Sequence, residues 1–84
     1  MTEKEFITEV KRQLRLKKAY TGMSYEEIAD KTGISLQTIA ATLAPSVENN
    51  TRILTLKYIC DAFGITLSQL FDNEKFSEPI GKKG

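Results

Sequence analysis

Apolar residues recur along this chain at helical intervals and never in strict alternation. Phe6, Val10 and Leu14 step by four and define one face of a first helix. Thr2 and Glu5 make a capping-box pattern ahead of it, so the helix opens at about residue 3, and Tyr20-Thr21-Gly22 ends it. Leu16 lies off the stripe, where it faces a partner or a neighbouring helix. Residues 24–44 then read as two short helices joined by one tight turn. Ser24 with Glu27 caps the first of them, Met23 staples against Ile28, and Ile28 and Ala29 supply the inward face. Gly33 supplies the positive φ that ends a helix at low cost, and Ile34 fills the corner. Ser35 caps the second, behind which Leu36, Ile39 and Leu43 recur. Helices this close must cross over a small residue, and Ala29 is that residue.

Beyond Ala44, Pro45 disfavours helix at the residue before it, and residues 46–51 read as a loop. A fourth helix follows over about residues 52–63, with Ile53, Leu56, Ile59, Cys60 and Phe63 on its inner face. Leu54 lies off that face and is a candidate for dimer contact, as are the short fifth helix and the tail with Phe76 that follow. Gly64 closes the helix, Ile65 packs the corner, and Thr66 with Gln69 caps a short fifth helix carrying Leu67, Leu70 and Phe71. From residue 72 the pattern stops; Phe76, Pro79 and the Gly-Lys-Lys-Gly end predict a flexible tail over 72–84. The expectation is an all-α domain of five helices over residues 1–71. Its core would combine Phe6, Val10, Leu14, Ile28, Ala29, Ile34, Ile39, Leu56, Ile59, Phe63, Leu67 and Leu70.

The stretch 24–44 resembles the helix-turn-helix of the phage repressor and Cro (XRE-like) family. That motif carries a small residue fifth, glycine ninth and a branched apolar residue fifteenth. Counted from Tyr25, those places hold Ala29, Gly33 and Ile39, and the apolar fourth and tenth hold Ile28 and Ile34. The eighteenth, normally large and apolar, is Thr42, and Leu43 follows it. The segment 55–71, Thr-Leu-Lys-Tyr-Ile-Cys-Asp-Ala-Phe-Gly-Ile-Thr-Leu-Ser-Gln-Leu-Phe, looks like the part that follows the motif in these repressors. The resemblance covers about residues 10–71 and implies a lambda-repressor-like fold that binds double-stranded DNA as a homodimer.

In that architecture the second helix of the motif enters the major groove with its first residues at base edges. The exposed positions are then Ser35, Leu36, Gln37, Thr38, Ala41 and Thr42. Gln37 can pair bidentately with adenine, Ser35 and Thr38 can donate or accept, and Leu36 and Ala41 can touch thymine methyls. By resemblance Tyr25 approaches a phosphate together with the helix N-terminus. Lys18 matches a basic position of the family, or Lys17 if the turn after the first helix carries one residue more than usual. Asn49, Asn50 and Arg52 lie where the family also touches the DNA backbone.

Charge complicates that picture. The net charge is +1, weak for a nucleic-acid binder. Residues 1–21 hold six Lys/Arg against three Glu, whereas residues 22–84 hold six against eight Asp/Glu. The excess therefore sits on the first helix, where Lys11, Arg12, Arg15, Lys17 and Lys18 either contact phosphate or form a solvated face. Between Gly22 and Asn50 the only basic residue is Lys31, against Glu26, Glu27, Asp30 and Glu48. That sign favours a second reading, a protein-interaction module that has kept the fold and given up DNA.

Composition narrows the chemistry. At 84 residues the core is small, and dimerisation would add stability. One cysteine permits no internal disulfide, and with no histidine there is no Cys/His zinc site; neither metal nor cofactor is expected. Cys60 reads as a small core residue. Without histidine or a glycine-rich phosphate loop, and with carboxylates only on short exposed helices, no enzyme is expected. No apolar run approaches a membrane span and Met-Thr-Glu-Lys-Glu is not a signal peptide, so a cytoplasmic location is expected.

Overall fold

Three of the helices begin where a capping box stands in the sequence. Thr2, Ser24 and Thr66 each accept from the backbone N–H three residues on, and Glu5, Glu27 and Gln69 accept from the cap's own N–H in return. These boxes open α1 (Glu3–Thr21), α2 (Tyr25–Thr32) and α5 (Leu67–Leu70). Between them lie α3 (Leu36–Leu43), capped by the Ser35 hydroxyl alone, and α4 (Ile53–Phe63), whose cap residue Arg52 makes no side-chain bond. The computed structural model describes residues 1–45 and 51–81. Among these the fold is all-helical, as the periodicity predicts.

The stripes converge on one core. Val10 and Leu14 of α1 meet Ile28 of α2, Ile39 and Leu43 of α3, Leu56, Ile59, Cys60 and Phe63 of α4, and Leu70 of α5. Phe6, Ala29, Ile34 and Leu67, expected inside, are half-buried and pack against the edge of this cluster. Burying a side chain such as Leu14 or Ile59 contributes about 1.5–3 kcal/mol, which is where most of the stability of so small a domain resides. Ile53 corrects the sequence reading. It falls on the α4 stripe by spacing, yet it is 65% exposed, because the first turn of α4 runs past the edge of the core.

The chain end adds contacts of its own. Residues 72–81, expected as part of a flexible tail, lie against the start of α1. Asn73 caps a short 3-10 turn, Glu74–Ser77, and this turn carries Phe76 onto Phe6 and Phe71. The Phe76 ring meets the other two edge-to-face, with centroids 5.5 and 5.0 Å away, while Phe6 and Phe71 stack at 6.3 Å. Such pairs add about 0.5–1.5 kcal/mol each beyond their buried area. Beyond the turn, the Gly81 N–H donates to the Met1 carbonyl at 2.8 Å. Residues 82–84 of the expected tail lie outside the described residues.

Candidate nucleic-acid interface

The turn between α2 and α3 is three residues long: Gly33, Ile34 and Ser35. Gly33 takes φ 74°, a left-handed conformation that side-chain-bearing residues rarely adopt, and its N–H donates to the Ala29 carbonyl at 2.8 Å. Thr32 fixes the corner from the other side. Its hydroxyl donates to the Ile28 carbonyl at 2.8 Å and accepts from the Ile34 N–H at 3.1 Å. Hydrophobic periodicity gives Thr32 no role, although a threonine just before a capping glycine carries the means to do this. Ala29 is half-buried against the core, as the crossing of α2 and α3 requires.

Behind this turn α3 presents the candidate base-reading residues. Leu36, Gln37 and Thr38 are exposed, and so is the cap Ser35. The Ser35 hydroxyl donates to the Thr38 hydroxyl at 2.9 Å and accepts from the Thr38 N–H at 3.2 Å, which ties the two hydroxyls together at the front of the helix. Ala41, expected to be exposed, is half-buried instead. Thr42, expected to be exposed, is not: it is 3% accessible, and its hydroxyl donates to the Thr38 carbonyl at 2.7 Å. That internal bond satisfies the hydroxyl, so threonine serves at the buried eighteenth place of the motif.

The candidate phosphate-binding residues do not all fall together. Lys18 lies over the Tyr25 ring, its ammonium 4.6 Å from the ring centre, so these two form one unit at the start of α2. Lys17 is half-buried nearby in sequence on α1. Arg52 is exposed at the head of α4. Asn49 and Asn50 lie outside the described residues.

The rest of the basic helix departs from the expected phosphate-facing or solvated surface. Lys11 is 2% exposed, and its ammonium donates to the Ala41 and Thr42 carbonyls at 2.8 and 3.0 Å. Burial and then the charge of Arg15 hold its pKa below the usual lysine value. Arg15 donates to the Leu43 carbonyl at 2.7 Å. Both side chains thus end on the last carbonyls of α3. Arg12 pairs instead with Glu9, with N–O distances of 3.2 and 3.3 Å. Spacing along α1 places Lys11 beside the apolar stripe, but it does not reveal that a helix end waits there.

A bihelical unit with this turn, packed on three further helices, defines a helix-turn-helix domain. The model of the Cro/C1-type HTH DNA-binding domain family matches residues 15–75 of the sequence. The chain belongs to that family. No curated protein matches the sequence, and no solved structure matches it. Among the described residues no helix is long and apolar enough to cross a membrane.

Proposed function

We propose that this protein is a sequence-specific transcriptional regulator of the repressor/Cro type that reads the major groove as a homodimer. The observation that carries the reading is the front of α3: Ser35, Leu36, Gln37 and Thr38 are exposed on a recognition helix that bears no acidic residue. Gln37 reads adenine, and Ser35, Leu36, Thr38 and Ala41 complete the base contacts. Tyr25, with Lys17 or Lys18, and Arg52, with Asn49 and Asn50, contact phosphates. A single short helix reads few base pairs, and a two-fold dimer doubles the site.

Of the dimer candidates, Leu54 is 59% exposed beside Ile53 and Tyr58 on α4, whereas Phe76 packs within its own chain. That favours α4 as the dimer surface. The test is a titration against random duplex at several salt concentrations, followed by selection of bound sequences from a random pool. A DNA reader binds random duplex at low salt and enriches a motif with two-fold symmetry.

The second reading is an interaction module that keeps this fold without DNA. One observation favours it: Lys11 and Arg15 end on carbonyls of α3 and Arg12 pairs with Glu9, which further reduces the positive charge available to phosphates. No binding to any duplex at low salt selects this reading.

A further inference from the structure

Two cations that the helix-turn-helix scheme leaves unused, Lys11 and Arg15, end at one place, the C-terminal end of α3. Helices α1, α2 and α4 each close on a glycine in the left-handed conformation. α3 does not. Its final cap, Ala44, has φ −68° and ψ 129°, and its last turn holds no basic residue. The carbonyls at such an end need partners, and together they carry about half a negative charge. Those partners come from α1, 28 to 31 positions away in the chain: Lys11 on Ala41 and Thr42, and Arg15 on Leu43. Two cations therefore hold three consecutive carbonyls of the helix that bears Gln37. Gln37 stands four to six residues before them, about 6–9 Å along the axis.

We propose that Lys11 and Arg15 are positioning residues for sequence reading: by clamping the C-terminal carbonyls of α3 they set the tilt at which Gln37 meets the base edges, without touching phosphate. This rests on the DNA reading above. An 8-residue helix held only at its N-cap and by the apolar contacts of Ile39 and Leu43 can roll about that seam. Two charge-assisted bonds at its far end remove the roll. The burial of Lys11 also separates its role from that of Lys17 and Lys18, since a side chain 2% exposed has no path to a phosphate.

The experiment compares Lys11→Met and Arg15→Met, which keep apolar stems, with Lys18→Met and Arg15→Lys. Each is titrated at several salt concentrations against random duplex and against the duplex selected with the parent protein. Hydrogen exchange of the free proteins is followed at Thr42, Leu43 and Ala44. Lys11→Met and Arg15→Met should lower the selected-to-random affinity ratio about tenfold, the scale of one well-made base contact, while the salt slope stays parental. The three amides should exchange about tenfold faster in the same variants. Arg15→Lys should keep the parental ratio, since a lysine there can still reach the Leu43 carbonyl. Lys18→Met should do the opposite of the two methionine variants, weakening both duplexes alike and lowering the slope.

Two results overturn the proposal. One is a folded Lys11→Met with parental ratio and exchange. The other is equal loss on both duplexes with a slope smaller by about one, which would mark Lys11 as a phosphate contact. Should Lys11→Met fail to fold, the half-buried Arg15 carries the same comparison. If the parent binds no duplex, the DNA reading falls and the positioning role falls with it. The exchange data then still report whether the clamp holds α3, so the two failures are distinct.

Discussion

Asn73 donates its side-chain amide to the carboxylate of Glu9 at 2.7 Å, across 64 positions of the chain. Glu9 is 4% exposed, and it also accepts from Gln13 at 2.8 Å and from Arg12, with the Lys75 ammonium 3.8 Å away. The bond to Gln13, and then Arg12, hold its pKa below the ordinary carboxylate value against the opposing effect of burial. A carboxylate with a depressed folded pKa contributes stability above its unfolded pKa, and that contribution is lost as pH falls through the folded value. Glu5 and Glu27 are shifted in the same direction, each first by the backbone N–H of its cap. Thermal stability is therefore expected to hold from pH 7 to about 5 and to fall below about 4.5. In Glu9→Gln the fall should be shallower, with lower stability at neutral pH. Melting curves across that range check this; identical acid profiles for parent and variant would remove Glu9 from the account.

Ala29 tests the crossing of α2 and α3. It is half-buried against the core, so a larger side chain must part the two helices. Ala29→Leu should cost about 1–3 kcal/mol. For a domain of this size, that corresponds to a fall in Tm of about 4–8 °C per kcal/mol. An unchanged Tm would mean the helices do not cross where Ala29 lies.

Leu54 tests the dimer. Leu54→Glu places a charge on the exposed α4 face beside Ile53 and Tyr58. Sedimentation at micromolar concentration should show dimer for the parent and monomer for the variant. Dimeric sedimentation by both would move the interface elsewhere, and monomer for the parent with and without DNA would remove it.

Gln37 and the basic residues should divide affinity between them. Gln37→Ala is expected to relax preference at one base pair per half-site, costing about 1–3 kcal/mol against the right base. Lys18→Ala or Arg52→Ala should weaken selected and random duplex alike, each lowering the salt slope by about one. Equal loss on both duplexes from Gln37→Ala would put the wrong helix in the groove.

Much of the fold was legible because its signals are local. A capping box spans four residues, a left-handed glycine marks its own position, and stripes such as Val10–Leu14 or Leu56–Ile59–Phe63 repeat within one helix. Helix boundaries, the turn at Gly33 and the core role of Cys60 followed from these. Ile53 was misplaced because spacing gives the face of a helix but not how far along it the core extends. Glu9, Lys11 and Asn73 were missed for a different reason. Each finds its partner 30 or more positions away, and a charged residue on α1 looks the same in sequence whether it meets water, a carbonyl or an amide. The polarity of Thr42 predicts exposure, because the sequence does not show its bond to its own helix.

Cys60 is fully buried, and burial followed by the charge of Asp61 pushes its thiol up to about 11. It is also the only cysteine in the chain. At neutral pH a soluble thiol reagent can therefore react only with molecules whose interior has transiently come apart. The protein carries its own stopwatch: without any label being introduced, the rate at which Cys60 is alkylated reports how often the domain opens. Measured with and without a bound duplex or partner, the same reaction would register how firmly that ligand keeps it shut.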